Sequence, residues 1–380
     1  MEAAFFHAPR LILQPSLFKS FFQGGFECST HRRYDGKRLD LINSTLHDKF
    51  VHEDYLALAN CEIKTVRDGV RWHLIESSPG KYDWSNFLPM LKAAEKSGTQ
   101  VIWDLCHYGW PDDIDIWKPE FVKKFANFAK EVATLVKNET DTIPFYTPIN
   151  EISFWSWAGG DVAYLNPAIT GRGFELKHQL VSATIDAIDA IRLVDVRARF
   201  VQAEPLINVI NVADPLCSKA KDYTESQYQV CDMLAGRLWP GLGGSNEYLD
   251  IIGVNYYPYN QWALDGRRIM HGHSLHKPLS EMLCTTYNRY QRPLFIAETG
   301  TEGDQRREWF LHICKEVDIA VDQGVPIEGV CLYPITNYLG WDDDRLCPTG
   351  LLGPINIFNH RGVFTPLAEE IKIQMHRFKI

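Results

Sequence analysis

Two glutamates, Glu151 and Glu298, each stand near the end of a short apolar run of the kind that forms a buried strand. Two carboxylic acids that face each other across an acetal can cleave it, because one protonates the leaving oxygen while the other attacks the anomeric carbon. We therefore expect these two residues to form a catalytic pair. A carboxylate separation of about 5 Å would predict a reaction that retains the configuration of the sugar.

The chain around this pair alternates short apolar runs with longer stretches of helical period, which is typical of repeated βα units. Eight such runs predict strands, at residues 22–28, 62–70, 99–107, 143–151, 199–205, 249–257, 292–300 and 327–335. Helical periodicity is clearest at residues 83–97, 119–137, 175–192 and 304–323. Asp83 is a predicted N-cap, and Gly98 a predicted C-terminal stop. The sequence thus predicts the α/β class and a single (β/α)8 TIM barrel.

The length of 380 residues fits one such barrel with long loops, and no linker divides the chain. We expect one catalytic domain over residues 1–380, in which residues 1–20 form an N-terminal extension. In a parallel barrel the carboxyl ends of the strands form the active face, so polar residues there are the candidates. Those at the predicted ends are Glu27, Arg67, Trp72, Asp104, His107, Asn150, Glu151, Glu204, Asn255, Tyr256, Tyr257, Glu298, Asn337 and Trp341.

The composition of the chain disfavours several classes of binding partner and metal site. The formal charge of −9 disfavours nucleic acid and anionic membranes, which both need a basic face. The nine cysteines lie singly without a CxxC pair, which argues against a zinc knuckle or a redox motif. No stretch approaches the about 20 apolar residues of a membrane span, and no signal-peptide pattern is visible. We expect a cytoplasmic protein without metal or cofactor, and we leave its oligomeric state open.

Several motifs resemble those of family 1 glycosidases, in the same order along the chain and over most of its length. TPINE at residues 147–151 resembles T-F-N-E, and PLFIAETG at residues 293–300 is similar to the I-T-E-N-G segment that holds the family's nucleophile. The other matches are VRDGVRW to Y-R-F-S-I-S-W, LCHYGWP to L-Y-H-W-D-L-P, and DIIGVNYY to D-F-I-G-I-N-Y-Y. The resemblance implies a retaining β-glycosidase with a carbohydrate substrate, Glu298 as nucleophile and Glu151 as acid/base.

The resemblance also implies roles for the neighbouring residues. It places Arg67 and Tyr257 near the nucleophile, His107 on the sugar hydroxyls, and Asn150 on the hydroxyl beside the reacting carbon. Arg67 and Tyr257 would lower the pKa of Glu298 and keep it ionised, whereas an acid/base in a drier setting would stay protonated. Further substrate-binding residues are expected to be Asn255, Trp341 and Glu204, although Glu204 is equally consistent with a helix cap or a salt bridge.

Two departures from the family pattern concern the sugar. The family's S-Y-Q-I-E-G reads THRRYDG at residues 30–36, without the Gln, and its sugar-binding Glu on strand eight corresponds to Gly340 beside the retained Trp341. We therefore expect a modified or charged sugar rather than plain glucose. Arg32 and Arg33 favour a carboxylate or phosphate on that sugar, because guanidinium pairs with these groups in a bidentate manner.

Other functions are left open. Asp104, His107, Glu151, Glu204 and Glu298 could form the carboxylate and imidazole cluster of a metal-dependent barrel enzyme, although no HxH or HExxH spacing supports it. A non-catalytic carbohydrate-binding barrel is the other alternative, suggested by the altered sugar-binding positions. A transglycosylase would use the same two glutamates as a hydrolase.

Overall fold

A computed structural model describes residues 17–78, 80–214 and 216–378. Eight parallel strands close into a barrel in which each strand pairs with the next along the chain and the last pairs with the first. They are β1 (Phe22–Gly25), β2 (Thr65–Gly69), β3 (Gln100–Asp104), β4 (Phe145–Thr147), β5 (Arg199–Pro205), β6 (Ile251–Asn255), β7 (Leu294–Thr299) and β8 (Ile327–Leu332). The predicted (β/α)8 barrel is confirmed.

Helices surround the barrel and fill the loops. They are α1 (Leu41–Ser44), α2 (His47–Ala59), α3 (Trp72–Ile75), α4 (Leu88–Ser97), α5 (Pro119–Glu139), α6 (Ile152–Gly160), α7 (Gly173–Val194), α8 (Ser218–Glu225), α9 (Gln229–Leu234), α10 (Leu279–Tyr290), α11 (Arg306–Asp322) and α12 (Thr365–Phe378). Short strand pairs join Glu76–Ser78 to Lys81–Tyr82, Asn208–Ile210 to Gln261–Ala263, Tyr338–Leu339 to Leu346–Cys347, and Leu352–Ile355 to Arg361–Val363. None of the helices in the described ranges is long and apolar enough to cross a membrane.

The four predicted helices are present, and two of them are divided. The stretch 83–97 forms a 3-10 turn at Trp84–Asn86 and then α4, with Phe87 between them. The stretch 304–323 likewise begins with a 3-10 turn before α11. Both predicted caps are confirmed: the Asp83 side chain accepts a hydrogen bond from the Ser85 amide, and Gly98 ends α4 in the left-handed conformation, with φ 69°.

The interior of the barrel is filled by apolar side chains, which are Phe18, Ile102, Phe145, Val201, Ala203, Ile251, Phe295 and Ala297. The ring of Phe18 lies 5.4 Å from that of Phe145 and 5.1 Å from that of Phe295. Phe18, which lies in the N-terminal extension predicted for residues 1–20, is thus part of the barrel core. Residues 1–16 of that extension lie outside the described residues. Apolar packing fills the barrel, and the polar strand ends are left to form the site.

Candidate active site

Glu151 lies in the turn between β4 and α6 and has a left-handed backbone, with φ 45°. Such a conformation is costly for a residue with a side chain and persists only where the surroundings enforce it. Here the Glu151 amide donates to the carbonyl of Ala203 at 3.0 Å. The Glu151 carboxylate accepts one hydrogen bond from the Asn255 side-chain amide at 2.9 Å and a second, short one from the Tyr108 hydroxyl. Both donors are neutral.

Glu298 lies within β7 and has different partners. Its Oε1 accepts from Nη1 of Arg67 at 3.0 Å, and its Oε2 accepts from the Tyr257 hydroxyl at 2.8 Å. In the sheet Glu298 is the register partner of Asn255, the residue whose side chain holds Glu151. One strand residue thus lies beside both glutamates, which line a common cavity of about 1180 Å³.

Arg67 is fully buried and forms a polar network beneath this cavity. Nη2 donates to Oδ2 of Asp104 at 2.6 Å and to Oδ1 of Asn150 at 3.0 Å, while Nη1 contacts Glu298. The Asn150 side-chain amide donates to Nε2 of His107 at 3.1 Å. A guanidinium fixed by two carboxylates and an amide has little freedom, so the network holds Glu298 in one orientation.

The environments of the two glutamates differ in charge. Burial raises the pKa of Glu298 to about 7, Arg67 opposes this shift, and the nearby Glu151 adds to it. Burial also raises the pKa of Glu151, while hydrogen bonds from Tyr108 and Asn255 lower it. Arg67 and Tyr257 do lower the pKa of Glu298, as expected, but burial outweighs them and the net shift is upward. Within the described ranges Glu298 contacts a cation and Glu151 does not, so within the pair the anion is favoured on Glu298.

The predicted site residues fall into two groups. His107, Tyr257 and Trp341 line the cavity together with Glu151 and Glu298. A second group, Arg67, Asn150, Asn255 and Glu204, is absent from the described cavity wall and bonds to the residues that form it.

Glu204 was predicted to bind substrate, but in the structure its carboxylate accepts hydrogen bonds from the start of α6. Its carboxylate accepts from the amides of Ile152 and Ser153, at 2.9 and 3.0 Å, and from Gln202 at 2.8 Å. These amides are the first of α6 and would otherwise lack partners, and a carboxylate also suits the positive end of a helix. Of the two interpretations open for Glu204, the helix cap is confirmed. It fixes the helix that begins directly after Glu151.

Arg32 and Arg33 also differ from the expectation. Nε of Arg32 donates to Asp112 at 2.9 Å, and Nε of Arg33 donates to Asp35 at 3.2 Å. Neither arginine belongs to the described cavity wall. Their guanidinium groups are neutralised by carboxylates of the protein, so they give no support to a carboxylate or phosphate on the sugar.

Some wall residues were not predicted. Tyr108 donates to Glu151, and it follows His107 in the LCHYGWP motif, so the motif contained the signal that could have found it. Tyr333 also lines the cavity, as does Glu27, which was already a candidate at a predicted strand end. Farther out, the wall is aromatic and partly exposed, with Trp157, Phe174, Tyr223, Tyr259 and Trp262.

A cluster of possible metal ligands lies below the wall. Single ligand atoms of Cys28, Asp104 and His107 come within 4.8 Å of one another. Oδ2 of Asp104 already accepts from Arg67 at 2.6 Å and is 3.1 Å from Nδ1 of His107. A metal ion bound there would share this oxygen with a buried guanidinium and be repelled by it. The donor set therefore suits the arginine better than a metal ion.

Comparisons with known proteins identify the fold. Neither a family model nor a curated protein matches the chain. Among solved structures, a hyperthermophilic β-glucosidase mutant is 16% identical with a TM-score of 0.74, over 94% of this chain and 100% of that one. A family 1 β-glucosidase from Thermotoga maritima is 13% identical with a TM-score of 0.75, over 94% and 97%. The AHE enzyme from Alicyclobacillus herbarius is 16% identical with a TM-score of 0.78, over 97% and 100%. Over nearly its whole length, the chain has the barrel fold of these three proteins.

Proposed function

We propose that this protein is a retaining β-glycosidase in which Glu298 is the nucleophile and Glu151 the acid/base. One observation carries the proposal: a buried carboxylate, Glu298, and a half-buried one, Glu151, line one cavity. Among the described residues Glu298 contacts a cation, whereas the donors to Glu151 are neutral. Two roles, an anion that attacks and an acid that gives a proton, need two environments of this kind.

The reaction proceeds in two displacements. In the first, a carboxylate oxygen of Glu298 forms a bond to the anomeric carbon while the bond to the leaving oxygen breaks and Glu151 gives that oxygen a proton. In the second, Glu151 takes a proton from water, whose oxygen bonds to the anomeric carbon and releases Glu298. Two inversions at one carbon give net retention. A sugar acceptor in place of water would give transglycosylation with the same residues.

The substrate is proposed to be a carbohydrate. Structures of the Thermotoga maritima enzyme hold the inhibitors castanospermine and deoxynojirimycin, and that protein shares the fold of this chain. Trp341 belongs to the cavity wall, and its buried indole nitrogen has no partner among the described residues, so it can donate to a sugar. The exposed rings of Trp157 and Phe174 offer stacking surfaces for the leaving group.

The sugar itself is proposed to differ from plain glucose, because Gly340 replaces the family's sugar-binding Glu. A single domain over residues 1–380 and a cytoplasmic location belong to the same proposal.

A screen of purified protein against 4-nitrophenyl β-glycosides tests the proposal, with Glu298→Ala as the inactive control. The expected result is release of nitrophenol by the wild type and none by the variant. Absence of turnover on every glycoside, with sugar binding retained, would favour a non-catalytic binding barrel. Turnover that a chelator abolishes would favour a metal-dependent enzyme.

A further inference from the structure

Glu27 is a buried carboxylate in the cavity wall that the proposed reaction does not use. It follows β1, is 5% exposed, and lies in the wall together with His107 and Glu298. Its Oε1 accepts from the amide of Ser29 at 3.0 Å and from the Ser29 hydroxyl. In the described chain Oε2 has no protein hydrogen-bond partner, although the residue is nine-tenths buried. One oxygen is therefore fixed and the other is free for a ligand.

No side chain of the protein neutralises this carboxylate by direct contact within the described ranges. The guanidinium of Arg67, which belongs to the same polar network as His107, is bound by Asp104 and Glu298. Burial raises the pKa of Glu27, and His107 and the bonds from Ser29 only partly oppose this shift. Oε2 thus stands in the cavity wall as an acceptor without a protein donor among the described residues. A ligand that donates hydrogen bonds can therefore bind to it.

The charge of the cavity wall determines which kind of ligand can donate to Glu27. Its carboxylates outnumber its fixed cations: they are Glu27, Glu151, Asp161, Glu298, Glu302, Asp342 and Asp343, against Lys177 and Arg345. Of the two cations, Arg345 is already paired with Glu302 at 2.8 Å. Of these carboxylates Glu27 and Glu298 are buried, so an anionic group on a sugar bound beside them would meet like charges, whereas hydroxyl groups would meet acceptors.

We propose that Glu27 is a specificity-determining residue, which binds hydroxyl groups of a neutral sugar and excludes sugars that carry a carboxylate or phosphate. This inference rests on the proposed glycosidase function and names the class of sugar it acts on. In the barrel β1 is separated from β7, which carries Glu298, only by β8. Glu27 therefore faces the glycone from the strands beside the nucleophile, where it can contact hydroxyls away from the leaving group.

The test compares two substrates that differ only at the sixth carbon, 4-nitrophenyl β-D-glucoside and 4-nitrophenyl β-D-glucuronide, which serve as probes of charge rather than as the natural substrate. We expect the wild type to prefer the glucoside by about 100-fold in kcat/KM. This is the effect expected if two carboxylates of the wall repel the carboxylate of the glucuronide and each lowers kcat/KM by about tenfold. Glu27→Gln, which removes the charge and keeps the shape, should narrow this ratio by about tenfold. The matched control is Glu308→Gln, the same change on the outer face of α11, where the carboxylate pairs with Arg307. It should leave the ratio unchanged.

Two results would overturn the inference: a wild-type enzyme that prefers the glucuronide, or a ratio that Glu27→Gln leaves as it was. The first needs no variant, so the inference stays testable even if Glu27→Gln fails to fold. Failure of the glycosidase proposal would give a different result: the wild type would turn over neither substrate nor any other β-glycoside.

Discussion

Replacing Tyr257 by phenylalanine removes one of the two side-chain donors that hold Glu298, and its effect can be worked out from the structure. The Tyr257 hydroxyl donates to Oε2 of Glu298 at 2.8 Å. A hydrogen bond to a charged group is worth about 1.5–3 kcal/mol, and one pKa unit corresponds to about 1.4 kcal/mol. The bond stabilises the ionised form, so its loss raises the pKa of Glu298, by about 1–2 units. As the pH is lowered, the activity that needs ionised Glu298 should therefore be lost at a higher pH in the variant than in the wild type.

The assay is the pH dependence of kcat/KM on an activated aryl glycoside, whose acidic limb reports ionisation of the nucleophile in the free enzyme. Tyr256→Phe is the matched control, because its hydroxyl accepts from Gln261 at 2.9 Å and lies outside the described cavity wall. The acidic limb should move upward in Tyr257→Phe and stay in place in Tyr256→Phe. A limb that moves downward, or equally in both variants, would refute the role given to the Tyr257 contact.

Three further predictions concern the pair and its support. Glu298→Ala should abolish turnover of all glycosides, whereas Glu151→Ala should keep more activity on substrates with good leaving groups, which need little proton donation; equal loss on all leaving groups would contradict the roles. Glu151→Gln, measured on a dinitrophenyl glycoside, should keep the acidic limb of the pH profile and lose the alkaline one, because Glu298 still ionises while the residue that acts as the acid no longer titrates. Glu204→Ala should lower the free energy of unfolding by about 2–4 kcal/mol, since the first amides of α6 lose their acceptor. Urea titration measures it, and a change below about 0.5 kcal/mol would contradict the cap.

The fold could be predicted because barrel strands are buried on both faces and read as apolar runs. The observed strand Arg199–Pro205 has the predicted bounds, but the prediction of 143–151 extends beyond Phe145–Thr147. Pro148 cannot donate to the ladder, and the chain turns at Glu151 into its left-handed conformation. Apolar character shows where a strand lies, whereas its end depends on where the chain leaves the sheet.

The site was predictable where a short motif contains it, as for His107 and Asn150. It was not predictable where a partner comes from far along the chain. Arg32 binds Asp112, 80 positions away, and Glu204 caps a helix that begins 52 positions before it. Neither pairing leaves a local pattern. The upward shift of the pKa of Glu298 was not predicted for a similar reason. Its contacts with Arg67 and Tyr257 were expected, whereas the extent of its burial depends on the whole barrel.

The central claim, a double displacement through Glu298, is tested most directly by the configuration of the first product. Proton NMR during hydrolysis of the best β-glycoside distinguishes the two anomers before they equilibrate. The structure leads us to expect the β-anomer first, followed by slow appearance of the α-anomer, and no product from Glu298→Ala. An α-anomer that appears first would mean a single displacement by water, and the nucleophilic role of Glu298 would be wrong.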